Sequence, residues 1–166
     1  MTAHVPETAR TNWKKLAADV MVPVLGGSLA GWLANRNTQD RYNKLEKPSF
    51  SPAPSVFPIA WTALYGLMGY AKYRADRQTP PAMKAKVLTP YELQLGLNYI
   101  WSFLFFKWNL RGTALIEMTV LLAMISLTAY EFQKVDSAAG KLLLPYIGWV
   151  SFAWTLNYSI WKLNRN

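Results

Sequence analysis

The sequence predicts an all-α fold, an integral membrane bundle of five transmembrane helices. Three observations carry that expectation. Charged residues are only 16% of the 166 and hydrophobic residues 52%, against about 25% charged in an ordinary soluble domain. The apolar residues gather into five stretches, each close to the ~20 needed to cross a bilayer. The chain holds eight Trp and nine Tyr, residues that favour the membrane–water interface. Mean hydropathy lies near zero because polar joins enter the average and because the index scores Trp and Tyr as polar.

The elements follow in order. Residues 1–15 form a polar, basic N-terminal tail, with no small-residue cleavage pattern of a secretory signal. The transmembrane domain runs from 16 to 162, with helices at about 16–34, 55–72, 90–108, 112–132 and 142–161, and 163–166 form a C-terminal tail. The first helix contains Asp19 near its start and Pro23, which should kink it. It also carries Gly27 and Gly31 at GxxxG spacing, which lets helices approach closely; packing within the bundle is preferred over a dimer seam. The second carries no charge from Ser55 to Ala71. The third begins at Pro90 with Glu92 in its first turn and Lys107 in its last, and the fourth carries Glu117 in its second turn and Glu131 at its end. All of these charges fall within about two turns of a segment end, where snorkelling lowers their cost. The fifth, "LLLPYIGWVSFAWTLNYSIW", is uncharged and has no solvated face, which argues against a soluble bundle. Strict alternation is absent, which argues against barrel strands.

The joins add constraints. "NLRG" (109–112) is tight, so the third and fourth helices should be an antiparallel hairpin. Lys and Arg divide ten to eight between the two sides of the membrane, too evenly to set orientation. The join at 35–54 is long and ends in "KPSFSPAPSVFP", where Pro48, Pro52, Pro54 and Pro58 hold the chain extended.

Chemistry is constrained mainly by exclusion. With no Cys there is no disulfide and no Cys-based nucleophile or metal site. His4, the single histidine, lies in the polar tail. No GxGxxG, Walker loop, HExxH or GxSxG occurs. The net charge of +9 sits mostly between apolar segments, which suits anionic headgroups and not nucleic acid. Glu92 and Glu117 could pair as acid and base, but interfacial placement favours solvated or Lys-paired roles.

Three aromatic stripes at helical spacing stand out: Phe57, Trp61, Tyr65 and Met68; Asn98, Trp101, Phe105 and Trp108; and Tyr146, Trp149, Ala153 and Leu156. Taken singly, each is packing or an interfacial belt. Together, with Asn98 near mid-segment, they would wall a cavity suited to a flat apolar ligand. Asn98 and Asn157 need hydrogen-bond partners within the bilayer, which neighbouring helices could supply.

"LEKPSFSP", "FPIAWTALYGLMGY", "QLGLNYIWSFLFF" and "LLLPYIGWVSFAWTLNYSIWKLN", in this order, resemble the translocator protein or tryptophan-rich sensory protein (TspO/MBR) family, also called the peripheral benzodiazepine receptor family. The resemblance covers roughly residues 20–164. It implies a five-helix membrane bundle, a homodimer, and binding of porphyrins (haem, protoporphyrin IX), sterols such as cholesterol, and benzodiazepine-type and isoquinoline drugs. No cofactor is required; a porphyrin is the expected ligand. The implied membrane is the mitochondrial outer membrane for a eukaryotic source, or else a secretory-pathway membrane or the bacterial envelope. The pocket implied by the resemblance lies beneath the first loop and is lined by Gly31, Ala34, Tyr42, Phe57, Ala60, Trp61, Asn98, Trp101, Trp149, Ala153 and Leu156. Leu156, Tyr158 and Lys162 match a sterol motif, a weak pattern alone, at the place where the family carries it. Phe50, Arg41, Thr113 and Glu117 depart from residues common in the family. The expected function is binding that assists transport or sensing. The alternatives are a porphyrin-degrading enzyme with Trp61 and Trp149 as photo-oxidisable donors, and a lipid-organising adaptor without transport.

Overall fold

A computed structural model describes residues 11–165. Most of the predicted tail, with His4, lies outside the described residues. Five long helices are joined by short ones, and no strand occurs among the described residues. They are α1 (Trp13–Asn35), α2 (Gln39–Asn43), α3 (Val56–Gln78), α4 (Lys84–Ser102), α5 (Arg111–Val135), α6 (Ser137–Lys141) and α7 (Leu144–Leu163). At 1.5 Å per residue, the 23 residues of α1 span about 34 Å, enough for a hydrocarbon core of about 30 Å. The molecule is an integral membrane bundle of helices. By length and hydropathy alone, α1 and α5 are the helices among the described residues that are apolar enough to cross. The sequence had pointed most strongly to the second and fifth segments, which carry no charge but are rich in Trp and Tyr.

α1 packs on α3 and α4, α4 on α5, and α5 on α7, with α3 closing the ring against α4, α5 and α7. The core is a continuous set of side chains from α3, α4, α5 and α7, including Met68, Tyr91, Met118, Ile125, Phe132, Tyr146 and Val150. Outward-facing apolar residues such as Leu25, Leu29, Ile59, Ile116 and Val120 form the lipid-facing surface. A bilayer, not water, is the solvent that makes their exposure favourable.

α1 remains one continuous helix through Pro23. The carbonyl deprived of its intrahelical donor is that of Asp19, and it lies against Gly69 of α3 so closely that a Cβ there would collide with it. Gly27 likewise leaves room for the Tyr65 ring, so its side of the GxxxG pattern serves packing inside the bundle. α4 begins at Lys84, earlier than the sequence suggested, and Pro90 is interior and buried. The extra turn is basic, carrying Lys84 and Lys86, so it extends beyond the apolar stretch.

The end of the bundle near Asp19 is fixed by charge. Six groups alternate in sign along Glu92–Lys72–Asp19–Lys15–Asp76–Lys84, with closest approaches of 2.6, 3.6, 3.0, 2.6 and 2.7 Å. Asp19 and Asp76 are buried, and the chain of ion pairs joins α1, α3 and α4. Asp76 sits in the last turn of α3, beyond the spanning stretch. Burial alone would raise its pKa, but the hydrogen bonds from Lys15 and Lys84 hold it below the ordinary carboxylate value. On the same side, Arg74 of α3 grips Asp136 with Nε at 3.0 Å and Nη2 at 2.9 Å. Asp136 also caps α6, accepting from the backbone N–H groups of Ala138 and Ala139.

Candidate functional site

The other end of the bundle opens. Between α1, α3 and α4, under the loop that carries α2, lies a cavity of about 450 Å³. That size falls within the range of small-molecule sites. α1 contributes Gly27, Ser28, Gly31, Trp32 and Asn35; the loop contributes Gln39, Tyr42 and Pro54. α3 contributes Phe57, Pro58, Trp61, Thr62 and Tyr65; α4 and the wider turn that continues it contribute Asn98, Trp101, Ser102 and Phe106.

The loop is held over this space by several contacts. Tyr42 meets Phe105 and Phe106 edge-on at 6.4 and 5.4 Å, and Lys47 lies over the Tyr42 ring at 4.7 Å. Phe50 meets Phe152 of α7. Asn164, at the end of α7, clasps Glu46: its Oδ1 accepts from the Glu46 N–H at 3.1 Å and its Nδ2 donates to the Glu46 carbonyl at 2.9 Å. The prolines shorten the list of conformations the loop must give up in order to sit there.

The walls are aromatic. Trp61 stacks on Tyr65 at 5.6 Å and lies 6.3 Å from Trp101. Trp101 stacks in turn on Phe105 at 5.5 Å. The floor is a buried polar chain. The Tyr65 hydroxyl donates to Asn98 Oδ1 at 2.6 Å, Asn98 Nδ2 donates to the Tyr146 hydroxyl at 3.0 Å, and that hydroxyl donates to Gln94 Oε1 at 2.8 Å. Asn98 thus finds its partners on α3 and α7, as a polar side chain at this depth must. The Trp101 indole N–H is shielded from solvent and has no partner among the described residues.

Of the residues expected at the pocket, Gly31, Tyr42, Phe57, Trp61, Asn98 and Trp101 surround the cavity. Ala34, Ala60, Trp149, Ala153 and Leu156 are not part of its lining. Ala34 is fully buried, and Ala153 and Leu156 belong to the core packed around α7. Trp149 stands behind the wall, with its ring edge-on to Phe57 at 6.0 Å and to Trp61 at 6.4 Å. α7 packs on α5 far more than on α3, so its aromatic stripe supports the cavity from outside. Trp32, Asn35, Thr62 and Phe106 carried no distinguishing signal, whereas Tyr65 already stood in the Phe57–Met68 stripe.

Glu92 pairs with Lys72, as its interfacial position suggested. Glu117 does not match its expectation: both carboxylate oxygens are shielded from solvent and lack a hydrogen-bond partner among the described residues. It lies one residue before Met118, on the part of α5 packed against α7, and makes no ion pair among the described residues. Tyr158 is exposed on α7 and stacks on Trp154 at 5.7 Å, one helical turn from the exposed Lys162. Leu156 points inward and is buried, so the three sterol-motif residues do not share one surface.

The TspO/MBR family model matches residues 19–162. The chain belongs to that family. It is 33% identical to the translocator protein of Sus scrofa, with 92% of each chain covered. It is 36% identical to the tryptophan-rich protein TspO of Archaeoglobus fulgidus, covering 92% of this chain and 99% of that one. It is 35% identical to the tryptophan-rich sensory protein of Cereibacter sphaeroides, over 75% and 77% of the two chains. Membership of the TspO/MBR family and the helical architecture agree on a membrane protein.

Proposed function

We propose that this chain is a membrane translocator or receptor whose cavity takes flat, largely apolar ligands, porphyrins and sterols, and assists their transport or sensing. The aromatic cavity carries the reading. Trp61 and Trp101 offer ring faces for stacking, Tyr42 and Phe57 supply further apolar area, and Asn98 and Tyr65 provide a few polar groups at the floor. Burial of apolar surface supplies most of the affinity, at about 25 cal/mol per Å², and stacking adds about 0.5–1.5 kcal/mol per aromatic pair. Benzodiazepine-type and isoquinoline drugs would occupy the same space. The relatives' names, translocator protein and sensory protein, support this reading.

Titration of protoporphyrin IX into the detergent-purified protein tests it. Tryptophan fluorescence should be quenched saturably, and Trp61→Phe with Trp101→Phe should weaken the affinity by about tenfold, the loss of one to two stacked contacts. Quenching that fails to saturate, or that is unchanged in the double variant, would remove the cavity as the binding site.

A further inference from the structure

Beside the aromatic cavity, across Tyr42 and Phe106, is a notch of about 10 Å³, room for a single water-sized group. Its walls include Thr38 and Arg41 from α2 and its approach, and Asn109 and Arg111 from the turn between α4 and α5. The two arginines face one space closely enough that Arg41 acts electrostatically on Arg111. No carboxylate lies within ion-pair distance of either among the described residues. Arg111 Nε is also shielded from solvent and without a hydrogen-bond partner among them. Two unneutralised guanidiniums lining one notch repel each other, although Arg41 is exposed, and an N–H buried without a partner costs about 1–3 kcal/mol. Asp19 and Asp76, which are buried, and the half-buried Asp136 each have a basic partner.

The backbone builds this juxtaposition. The last part of the third span, Phe103–Lys107, widens into a π-helical turn. Asn109 then takes a left-handed conformation, with φ 58°. Together they bring the first residue of α5 round to face α2. Such widened turns recur at functional sites.

We propose that Arg41 and Arg111 form an oxyanion site at the membrane surface, separate from the aromatic cavity, in which one oxygen of a phosphate group enters the notch and the rest of the group stays outside it between the two guanidiniums. Guanidinium forks match the paired oxygens of a phosphate, and one such anion neutralises both charges and satisfies Arg111 Nε. The notch lies at the bundle end that carries the loop and the α7 C-terminus, where the apolar spans stop. The phosphodiester of an anionic phospholipid headgroup and free phosphate share this chemistry.

The test uses the full chain in a neutral detergent and follows thermal unfolding during titration with short-chain phosphatidylglycerol, short-chain phosphatidylcholine or inorganic phosphate. Phosphatidylglycerol should raise the melting temperature at concentrations where phosphatidylcholine does not. The midpoint should rise at least about tenfold in the Arg41→Gln/Arg111→Gln variant, from loss of charge-assisted bonds. It should stay unchanged in Lys44→Gln, a charge control on the same side. Arg111→Lys, which keeps charge but loses the fork, should fall between. Protection by inorganic phosphate would identify a free anion as sufficient; its failure beside a phosphatidylglycerol response would identify the headgroup as the source. Equal responses to the two lipids with no effect of phosphate, or an unchanged midpoint in the double variant, would overturn the site. Without any anion, the double variant should melt no lower than the parent, since two repelling charges are gone; a lower melting temperature would mean the arginines serve structure, and would also overturn it.

Discussion

Replacement of Asn98 by Leu, a change of similar size, tests whether the polar chain under the cavity behaves as a unit. Asn98 is 2% exposed and holds two hydroxyls at once. In Asn98→Leu the Tyr65 hydroxyl loses its acceptor and is stranded, at a cost of about 1–3 kcal/mol. Tyr146 loses one donor but keeps Gln94 as its own acceptor, so that loss is about 0.5–1.5 kcal/mol. The sum is about 1.5–4.5 kcal/mol, which in a chain of this length lowers the melting temperature by about 3–18 °C. Tyr65→Phe alone leaves Asn98 Oδ1 without its donor and should cost about 1–3 kcal/mol. The double variant strands neither group of that pair. Its loss should therefore fall short of the sum of the single losses by about 1–2 kcal/mol, the coupling expected of residues in direct contact. Thermal unfolding of the four proteins in one detergent, followed by tryptophan fluorescence, measures each difference. Strict additivity would refute the account of the 2.6 Å contact as a functioning hydrogen bond.

Gly31 and Gly27 should respond in opposite ways to Leu. Nothing stands within 4 Å of a Cβ at Gly31, so Gly31→Leu should keep the parent's melting temperature within about 2 °C, as for a side chain in open space, and weaken porphyrin quenching at least tenfold by filling the cavity. Gly27→Leu meets the Tyr65 ring and should lose about 1–3 kcal/mol of stability through overpacking. The Asp76 pairing predicts an acid-labile end. A carboxyl with a depressed folded pKa contributes stability above its unfolded pKa and loses it as pH falls through the folded one. Unfolding should therefore become easier below about pH 3.8, the carboxyl's ordinary value, and Asp76→Asn should flatten that part of the pH profile.

The architecture was legible because lipid imposes a simple rule: spans must be long, apolar and helical. The long helices answer to composition alone, and the antiparallel turn at 109–112 to its brevity. The site was half legible. Stripes of period 3.6 located Trp61, Tyr65, Asn98 and Trp101, because periodicity reports which face a residue shares. Periodicity does not report which two helices splay. Trp149 therefore looked equivalent to Trp101, yet α7 packs on α5 and leaves Trp149 behind the wall. Position relative to the ends misled in the same way at Glu117: two turns into a span suggested an interface, but the helix begins at Arg111 and packs that turn against α7. Nor could sequence show that Arg41 and Arg111, 70 positions apart, face one notch, since a π-helical turn and a left-handed Asn109 bring them together.

The bundle divides its tasks between its two ends. Gly69 lets α1 lie directly against α3 near Asp19, and alternating ion pairs tie α1 to α3 and α3 to α4. Buried pairs of this kind contribute little net stability against a hydrophobic alternative, but removing one partner is severe, so they specify geometry more than they add free energy. From that fixed point α1 and α3 run to the opposite end, where Gly31 faces open space and small or flat groups separate the helices. A closely packed opposite end would have no room for a ligand, and a loosely held clamp would let the cavity collapse. The arrangement therefore concentrates helix-to-helix fixing where no ligand binds. It leaves the cavity closed mainly by a loop whose attachments, among them Tyr42 on Phe106 and Asn164 on Glu46, are partly exposed. Low local stability of that kind is what a covering loop requires if it is to release what it covers.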